Sequence, residues 1–254
     1  MKKFLLLFFI SLLLLNCYSK KTDLSPEDLI PLNASIVIKT DNLESFKSNL
    51  DNNHFIQQLT NRKVYNELEQ SLNSIKYLNS QENIFLCLTN NDSLEYSLIT
   101  KYNPALFNTD SIPNSKVEAL KKDALNISKV TVDNQIIYTT IVDSVFVCSS
   151  SQKLLEASFS IKKEEPKLIN ILKSTKEKPL SIFINKSNNP IINSMFINDS
   201  LDFSQFTDYT LLDTEINQDQ IVFNGITNTE LGNAKLIDVF KNTIPQENQT
   251  ARIT

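Results

Sequence analysis

The residue types that usually carry out chemistry are few in this sequence, and their spacing assembles no known catalytic motif. The single histidine, His54, has no cysteine or acidic cluster at metal-ligand spacing. The only glycines, Gly225 and Gly232, cannot build a phosphate-binding loop of the Walker or dinucleotide type, nor a nucleophile elbow. The sequence therefore predicts no metal, no cofactor and no catalytic residue.

Pairs of carboxylates are the remaining catalytic candidates. They occur at Glu67 and Glu69, at Glu164 and Glu165, and at Asp199 and Asp202. Glycosidases and two-metal nucleases need carboxylates that converge from separate elements, whereas these neighbours diverge on a helix, lie in a charged run or flank a turn. Solvated surface is their expected role. We expect a protein without enzymatic activity, and the alternative is a periplasmic hydrolase whose carboxylates converge only in the fold.

Cys17 is the residue to which the sequence assigns a definite chemistry, acylation as the membrane anchor of an exported lipoprotein. Lys2 and Lys3 precede an apolar run from Phe4 to Leu15, as in the charged and hydrophobic regions of a signal peptide. This run is too short to cross a bilayer, which takes about 20 residues. The residues before Cys17 resemble the recognition site of lipoprotein signal peptidase, although Asn16 replaces the usual small residue. An ordinary secretory signal is the alternative.

The predicted organisation follows from this processing site. Residues 1–16 are a signal peptide, and residues 17–30 are a tether that carries a lipid such as palmitate on Cys17. We therefore expect a lipoprotein of the cell envelope, at the outer membrane and facing the periplasm or the surface. Its partners are the membrane and an unknown protein or glycan. The net charge is −4 and the sequence has no basic stripe, so it predicts no positively charged surface for nucleic acid.

Four serines lie between an aspartate and an aliphatic residue, and this tripeptide resembles the acceptor for O-glycosylation in exported proteins of Bacteroidetes-type bacteria. These are Ser93, Ser111, Ser144 and Ser200. Turns also favour Asp and Ser because their side chains bond to the nearby backbone, so structural turns are the alternative.

The elements that would position these residues give an α+β prediction, with antiparallel sheets formed by hairpins and a meander and packed with amphipathic helices. One module covers residues 31–161 and a second, related module covers residues 162–254. A helix is expected after residue 41, with Asp41 as its N-cap. The segment from Lys116 to Leu125 fits a short helix or a loop. Cys87 and Cys148 lie in apolar strand-like runs and are expected to be buried free thiols.

An internal likeness suggests a duplicated strand-helix-hairpin unit. The segment ASIVIKTDNLESFKSNL, from Ala34, resembles PLSIFINKSNNPIINSMF, from Pro179. The alternative is that few residue types suit each position of such a unit.

Taken together, the short signal, the Ser-Lys-Lys tether and the Asn-rich hairpins resemble an uncharacterised group of Bacteroidetes-type lipoproteins. The resemblance implies an N-terminal α+β module followed by more β-rich sequence, and it carries no catalytic residues over. An enzyme activity, for example of a ribonuclease, would then reside outside these residues, since the polar tail from Thr243 suggests a leading fragment. A binding or structural role at the envelope is the main hypothesis. A lipid or small-ligand carrier would require a large apolar cavity.

Overall fold

A computed structural model describes residues 24–59, 66, 69–70, 72–90, 93–122, 125–159, 171–172, 175, 178–185, 192, 203–229 and 235–240. The predicted signal peptide, Cys17 and Ser200 lie outside these residues. Within them, the chain forms one antiparallel sheet of ten strands, with short helices packed on it. The α+β prediction of separate sheets packed with helices is therefore wrong, because the strands of both predicted modules join a single sheet and the fold is mostly β.

The order of the strands across the sheet differs from their order along the chain. Their bounds are β1 (Ile36–Thr40), β2 (Ile84–Asn90), β3 (Leu94–Lys101), β4 (Lys116–Lys122), β5 (Leu125–Val132), β6 (Gln135–Val142), β7 (Val145–Ser149), β8 (Leu180–Asn185), β9 (Tyr209–Ile216) and β10 (Ile221–Asn228). Their order across the sheet is β10-β9-β8-β1-β2-β3-β7-β6-β5-β4.

The helices are short. The α-helices are α1 (Leu43–Asn52), α2 (His54–Leu59), α3 (Gln152–Ser158) and α4 (Phe203–Phe206), and 3₁₀ turns cover Pro26–Leu29, Asn73–Tyr77, Thr109–Ser111 and Leu236–Phe240. Among the helices that the structure describes, none is long and apolar enough to cross a membrane.

Strands β1 and β8, on which the internal likeness is based, are antiparallel neighbours in the sheet. Ile38 lies opposite Ile182 of β8 on one side and opposite Leu86 of β2 on the other. Apolar residues on the three strands therefore meet in one row, and this row connects the two segments that the sequence predicts as separate modules.

Side chains alternate between two faces of the sheet, as strand geometry requires. We call the side under α1 the front face; its core includes Ile36, Leu86 and Leu98. The rear face lies under α3 and the 3₁₀ turn Pro26–Leu29, and its core includes Val37 and Phe85.

Cys87 and Cys148 are buried, and neither forms a disulfide within the described residues. Cys87 belongs to the rear core and Cys148 to the front core. Since the sheet separates their sulfur atoms, the two residues do not meet the geometry of a disulfide.

Two-residue turns connect the strands of the predicted meander. Asp133 and Asn134 join β5 to β6 with φ angles of 49° and 62°, and Asp143 and Ser144 join β6 to β7 with φ angles of 46° and 65°. Consecutive residues with positive φ define the type I′ turn, whose twist suits an antiparallel hairpin. Asp and Asn tolerate this conformation better than most residues, which is why these turns can be predicted from the sequence.

Candidate functional site

A cavity of about 320 Å³ opens on the front face between α1 and the 3₁₀ turn Asn73–Tyr77. We call it the apolar cleft. Its floor is formed by side chains of β1, β2 and β3, and its walls by α1 and the turn. The floor residues are Ile38, Ile84, Leu86 and Leu98, and the wall residues include Leu43, Phe46, Leu50, Leu72 and Ile75.

Capping interactions hold α1 in this position. The side-chain oxygen of Asn42 accepts a hydrogen bond from the backbone N–H of Ser45 at 2.8 Å. Asn42 is therefore the N-cap, and the prediction that placed the cap at Asp41 is wrong by one residue. The first residue of the helix, Leu43, is buried and contributes to the front core.

The junction between α1 and α2 is bonded to the turn between β9 and β10. The Asn53 side-chain amide donates to the carbonyl of Asn217 at 2.5 Å, and the backbone N–H of His54 donates to the carbonyl of Gln218 at 2.8 Å. His54 Nδ1 also lies 2.8 Å from a carboxylate oxygen of Asp219. His54 thus takes part in a polar attachment of α1 to the sheet, and the described residues contain no cluster of three or more His, Cys, Asp or Glu that could hold a metal.

Charged residues surround the mouth of the apolar cleft. Lys47 pairs with Glu44 at 3.0 Å, and Lys76 pairs with Asp133 at 2.7 Å. The hydrogen bond between the latter two lowers the pKa of Asp133 and raises the pKa of Lys76. Both lysines are therefore engaged with carboxylates other than those of the cleft.

Asp51 and Glu69 also line the cleft, so two acids approach it from different segments of the chain. Both are exposed to solvent, unlike the buried floor. Exposed carboxylates are the ordinary rim of an apolar site.

The polar groups of the front core are uncharged over the physiological range. The hydroxyl groups of Tyr96 and Ser74 hydrogen-bond to each other. Burial raises the pKa of the Tyr96 hydroxyl, and burial also raises the pKa of the Cys148 thiol to about 12. The core behind the cleft is therefore neutral, which suits an apolar ligand better than a charged one.

The rear face of β1 carries a buried lysine that sequence reasoning missed. Lys39 is 1% exposed, and its ammonium group donates to the carbonyls of Thr175 at 2.5 Å and Lys178 at 2.8 Å. Burial lowers its pKa, and the charges of Asp41, Glu27 and Asp213 oppose that shift. Buried ionisable groups often mark functional sites. Here the Lys39 ammonium group links residues 175 and 178 to the sheet through these two hydrogen bonds. The sequence feature that could have revealed this buried group is a lysine within the apolar strand Ile36–Thr40.

The predicted glycosylation serines that the structure describes are exposed and lie in turns or a 3₁₀ segment. Ser93 directly precedes β3. Ser144 lies in the turn before β7, near the opposite end of β3. The Ser111 hydroxyl donates to the carbonyl of Asn108 at 2.8 Å. The structure therefore does not gather these serines into one site.

Comparisons with known proteins give little beyond these observations. No family model matches the chain, and no curated protein matches it. Among solved structures, the chain is similar to crystal form I of TP0453, with a TM-score of 0.46 and 12% sequence identity. The match covers 87% of this chain and 84% of TP0453. A likeness this distant assigns no function.

Proposed function

We propose that this protein is a non-catalytic lipoprotein of the cell envelope that binds the apolar part of an amphiphilic ligand, such as an acyl chain, in the apolar cleft. The observation that carries the proposal is the cleft itself. Its volume, about 320 Å³, falls within the range of roughly 300–1,000 Å³ that is usual for small-molecule sites.

The lining of the cleft favours a hydrocarbon chain. Buried Ile84, Leu86 and Leu98 provide a floor that cannot hydrogen-bond through its side chains. Transfer of each methylene from water to such a surface contributes about 0.8 kcal/mol. A chain of several methylenes therefore gains enough free energy to bind without a specific polar contact.

The charged mouth suits the polar end of the same ligand. Lys47, Asp51, Glu69 and Lys76 place charges of both signs around the opening. An amphiphile would keep its headgroup among these solvated side chains and its chain on the floor, as amphipathic groups do at other apolar surfaces.

The sequence supports the location of this activity. A signal peptide over residues 1–16 and a lipid on Cys17 would hold the protein at a membrane, where amphiphiles are concentrated. Labelling with a palmitate analogue tests the anchor. We expect label in the wild type and none in Cys17→Ser, and equal labelling of both would refute it.

A fluorescence titration with dansyl-undecanoic acid tests the cleft. Leu72 is on the wall, and Leu72→Trp would fill the cavity. We expect the wild type to bind the probe and Leu72→Trp to bind it at least about tenfold more weakly, which corresponds to about 1.4 kcal/mol.

The matched control for this titration is Leu236→Trp, since Leu236 is 52% exposed and lies outside the cleft. It should bind the probe as the wild type does. Circular dichroism checks that both variants are folded. No saturable binding by the wild type, or the same affinity in both variants, would contradict an acyl-chain site.

A further inference from the structure

A second cavity of about 320 Å³ lies on the other side of α1, next to the ends of β8 and β9. We call it the polar cleft. Phe46, Pro179, Leu180 and Ile216 give it an apolar surface. Its polar side chains come from α1 and the two residues before it and from the end of β9 with the residue that follows it, and they include Asp41, Asn42, Asn49, Thr214, Glu215 and Asn217.

Thr214 is the residue that points to a ligand. It is only 3% exposed, and its hydroxyl oxygen has no hydrogen-bond partner in the described part of the chain. Its neighbour Asp213 accepts a hydrogen bond from Ser181, whose strand neighbours Leu180 and Ile182 face α1. By strand alternation, Thr214 therefore lies on the front face, toward the polar cleft.

A buried hydroxyl without a partner is costly. Leaving such a group unsatisfied costs roughly 1–3 kcal/mol, and native proteins retain few of them. A ligand that supplies the missing hydrogen bond would recover this free energy. Thr214 lines the polar cleft, so a ligand bound there lies against its side chain.

The other polar side chains of the cleft also have unused hydrogen-bonding capacity. The carboxylates of Asp41 and Glu215 and the side-chain amides of Asn49 and Asn217 make no hydrogen bond or salt bridge within the residues that the structure describes. Carboxylates accept only, whereas amides and the threonine hydroxyl both donate and accept. The set therefore suits a ligand whose groups also donate and accept.

The charges of the cleft select against anions. Two carboxylates repel an anion, although the N-terminus of α1 would otherwise attract one. The acids of this cleft are not part of a metal-binding cluster among the described residues. A neutral ligand rich in hydroxyl groups matches both the acceptors and the donors of the cleft, and Phe46 offers an apolar surface for its carbon skeleton.

We propose that the polar cleft binds a neutral sugar unit of an envelope glycan. Adjacent hydroxyl groups of a sugar donate to the carboxylates of Asp41 and Glu215 and accept from the amides, and one hydroxyl pairs with Thr214. The C–H face of the ring packs on Phe46. This site shares Thr40 and Phe46 with the apolar cleft, but its polar side chains lie outside that cleft, and the proposal does not depend on acyl-chain binding.

The experiment is a screen of the full chain on an array of neutral oligosaccharides, followed by isothermal titration with the strongest ligand. The array includes chitotetraose and maltotetraose. We expect saturable binding by the wild type and at least tenfold weaker binding by Thr214→Val, which keeps the side-chain shape but removes the hydroxyl.

Thr89→Val is the matched control. Thr89 is 1% exposed, its hydroxyl also has no partner in the described residues, and it lies in the rear-facing register of β2, away from both clefts. It should bind sugar as the wild type does. Leu72→Trp should also keep sugar binding, which separates this result from that of the acyl-chain titration.

Three results would overturn the proposal: no neutral oligosaccharide binds, Thr214→Val and Thr89→Val bind equally, or a chelator abolishes binding. The last result would show that a metal ion occupies the cleft. Since thermal unfolding checks that each variant is folded, loss of binding in Thr214→Val alone reports on the hydroxyl.

Discussion

The apolar cleft and the polar cleft lie on opposite sides of one helix and on one face of one sheet. Each has a volume of about 320 Å³, and both are lined by Thr40 and Phe46. Their chemistry differs because the apolar cleft lies over the central strands, whereas the polar cleft lies near the ends of β8 and β9 and beside the cap of α1. Position relative to the strand ends, rather than volume, therefore determines which side chains line each cleft.

A substitution that enlarges the apolar cleft should have the largest effect on the free energy of unfolding. Leu98 is 0% exposed and forms part of the floor. Leu98→Ala should lower the free energy of unfolding by about 2–5 kcal/mol through lost burial and a larger cavity. Urea denaturation measures this change.

Leu236→Ala is the control, and it should change stability by less than about 0.5 kcal/mol because Leu236 is largely exposed. The deepened cleft of Leu98→Ala should still bind dansyl-undecanoic acid and should leave sugar binding unchanged. Loss of sugar binding in this folded variant would show that the two clefts are not independent.

Alkaline pH should weaken the front core that backs the apolar cleft. Burial raises the pKa of Cys148 from an ordinary value of 9.0 to about 12. In the unfolded chain the thiol ionises above pH 9, whereas in the folded protein it stays neutral, so rising pH favours unfolding between these values. Full stability is present below pH 9. Above it, the free energy of unfolding falls by at most about 1.4 kcal/mol per pH unit, up to about pH 12.

Urea denaturation of wild type and Cys148→Ala at pH 7 and pH 10 isolates this contribution. The alanine variant loses packing at both pH values, so only the difference between them reports on ionisation. We expect a smaller loss of stability at pH 10 in Cys148→Ala than in the wild type. Equal losses would mean that the thiol does not contribute.

Substitution of Lys39 tests whether the rear face of the sheet affects ligand binding in either cleft. Lys39→Met removes hydrogen bonds to two carbonyls, those of Thr175 and Lys178. It should lower stability by about 1–3 kcal/mol, although relief of the buried charge offsets part of the loss. Lys47→Met, which breaks only the pair with Glu44 on the surface of the protein, should cost less than about 1 kcal/mol.

Chemical denaturation compares the stability of these two variants, and the two titrations compare their ligand binding. We expect Lys39→Met to bind both ligands normally once folded. A change in both affinities would show that the rear face shapes the clefts through β1.

The smallest expected effect concerns the unpartnered hydroxyls. Thr214→Val and Thr89→Val should each raise the free energy of unfolding by about 1 kcal/mol, since each removes a buried group without a partner. Thermal unfolding without ligand measures this gain. A loss of stability in Thr214→Val would show that its hydroxyl is satisfied in the free protein.

Local sequence was a good guide where one segment decides its own structure. The strand Ile36–Thr40 and the hairpin turns at Asp133 and Asp143 follow from alternation and from residues that accept positive φ. The segment Lys116–Lys122 is different. Its Glu, Ala, Leu and Lys residues favour a helix. It forms an edge strand because Val117 and Leu120 pair with Val130 and Ile127 of β5, and this tertiary contact overrides the local preference.

The candidate sites were less predictable than the strands. The sequence contains no known catalytic motif, and whether an apolar cavity exists for a carried ligand depends on how distant segments pack. The buried lysine and the unpartnered Thr214 could not be assigned a role from sequence. Burial and missing hydrogen bonds are properties of the surroundings, which a single segment does not contain.

The sequence by itself determined the period of the strands, the chemistry of the turns and the residue types available for function. Only the tertiary structure decided that β1 and β8 are neighbours and that α1 divides the front face into two clefts. The physical reason is distance along the chain: Thr40 and Thr214 line the same cleft although 174 positions separate them. Strand register and helix placement, which depend on the packing of the whole core, bring such residues together.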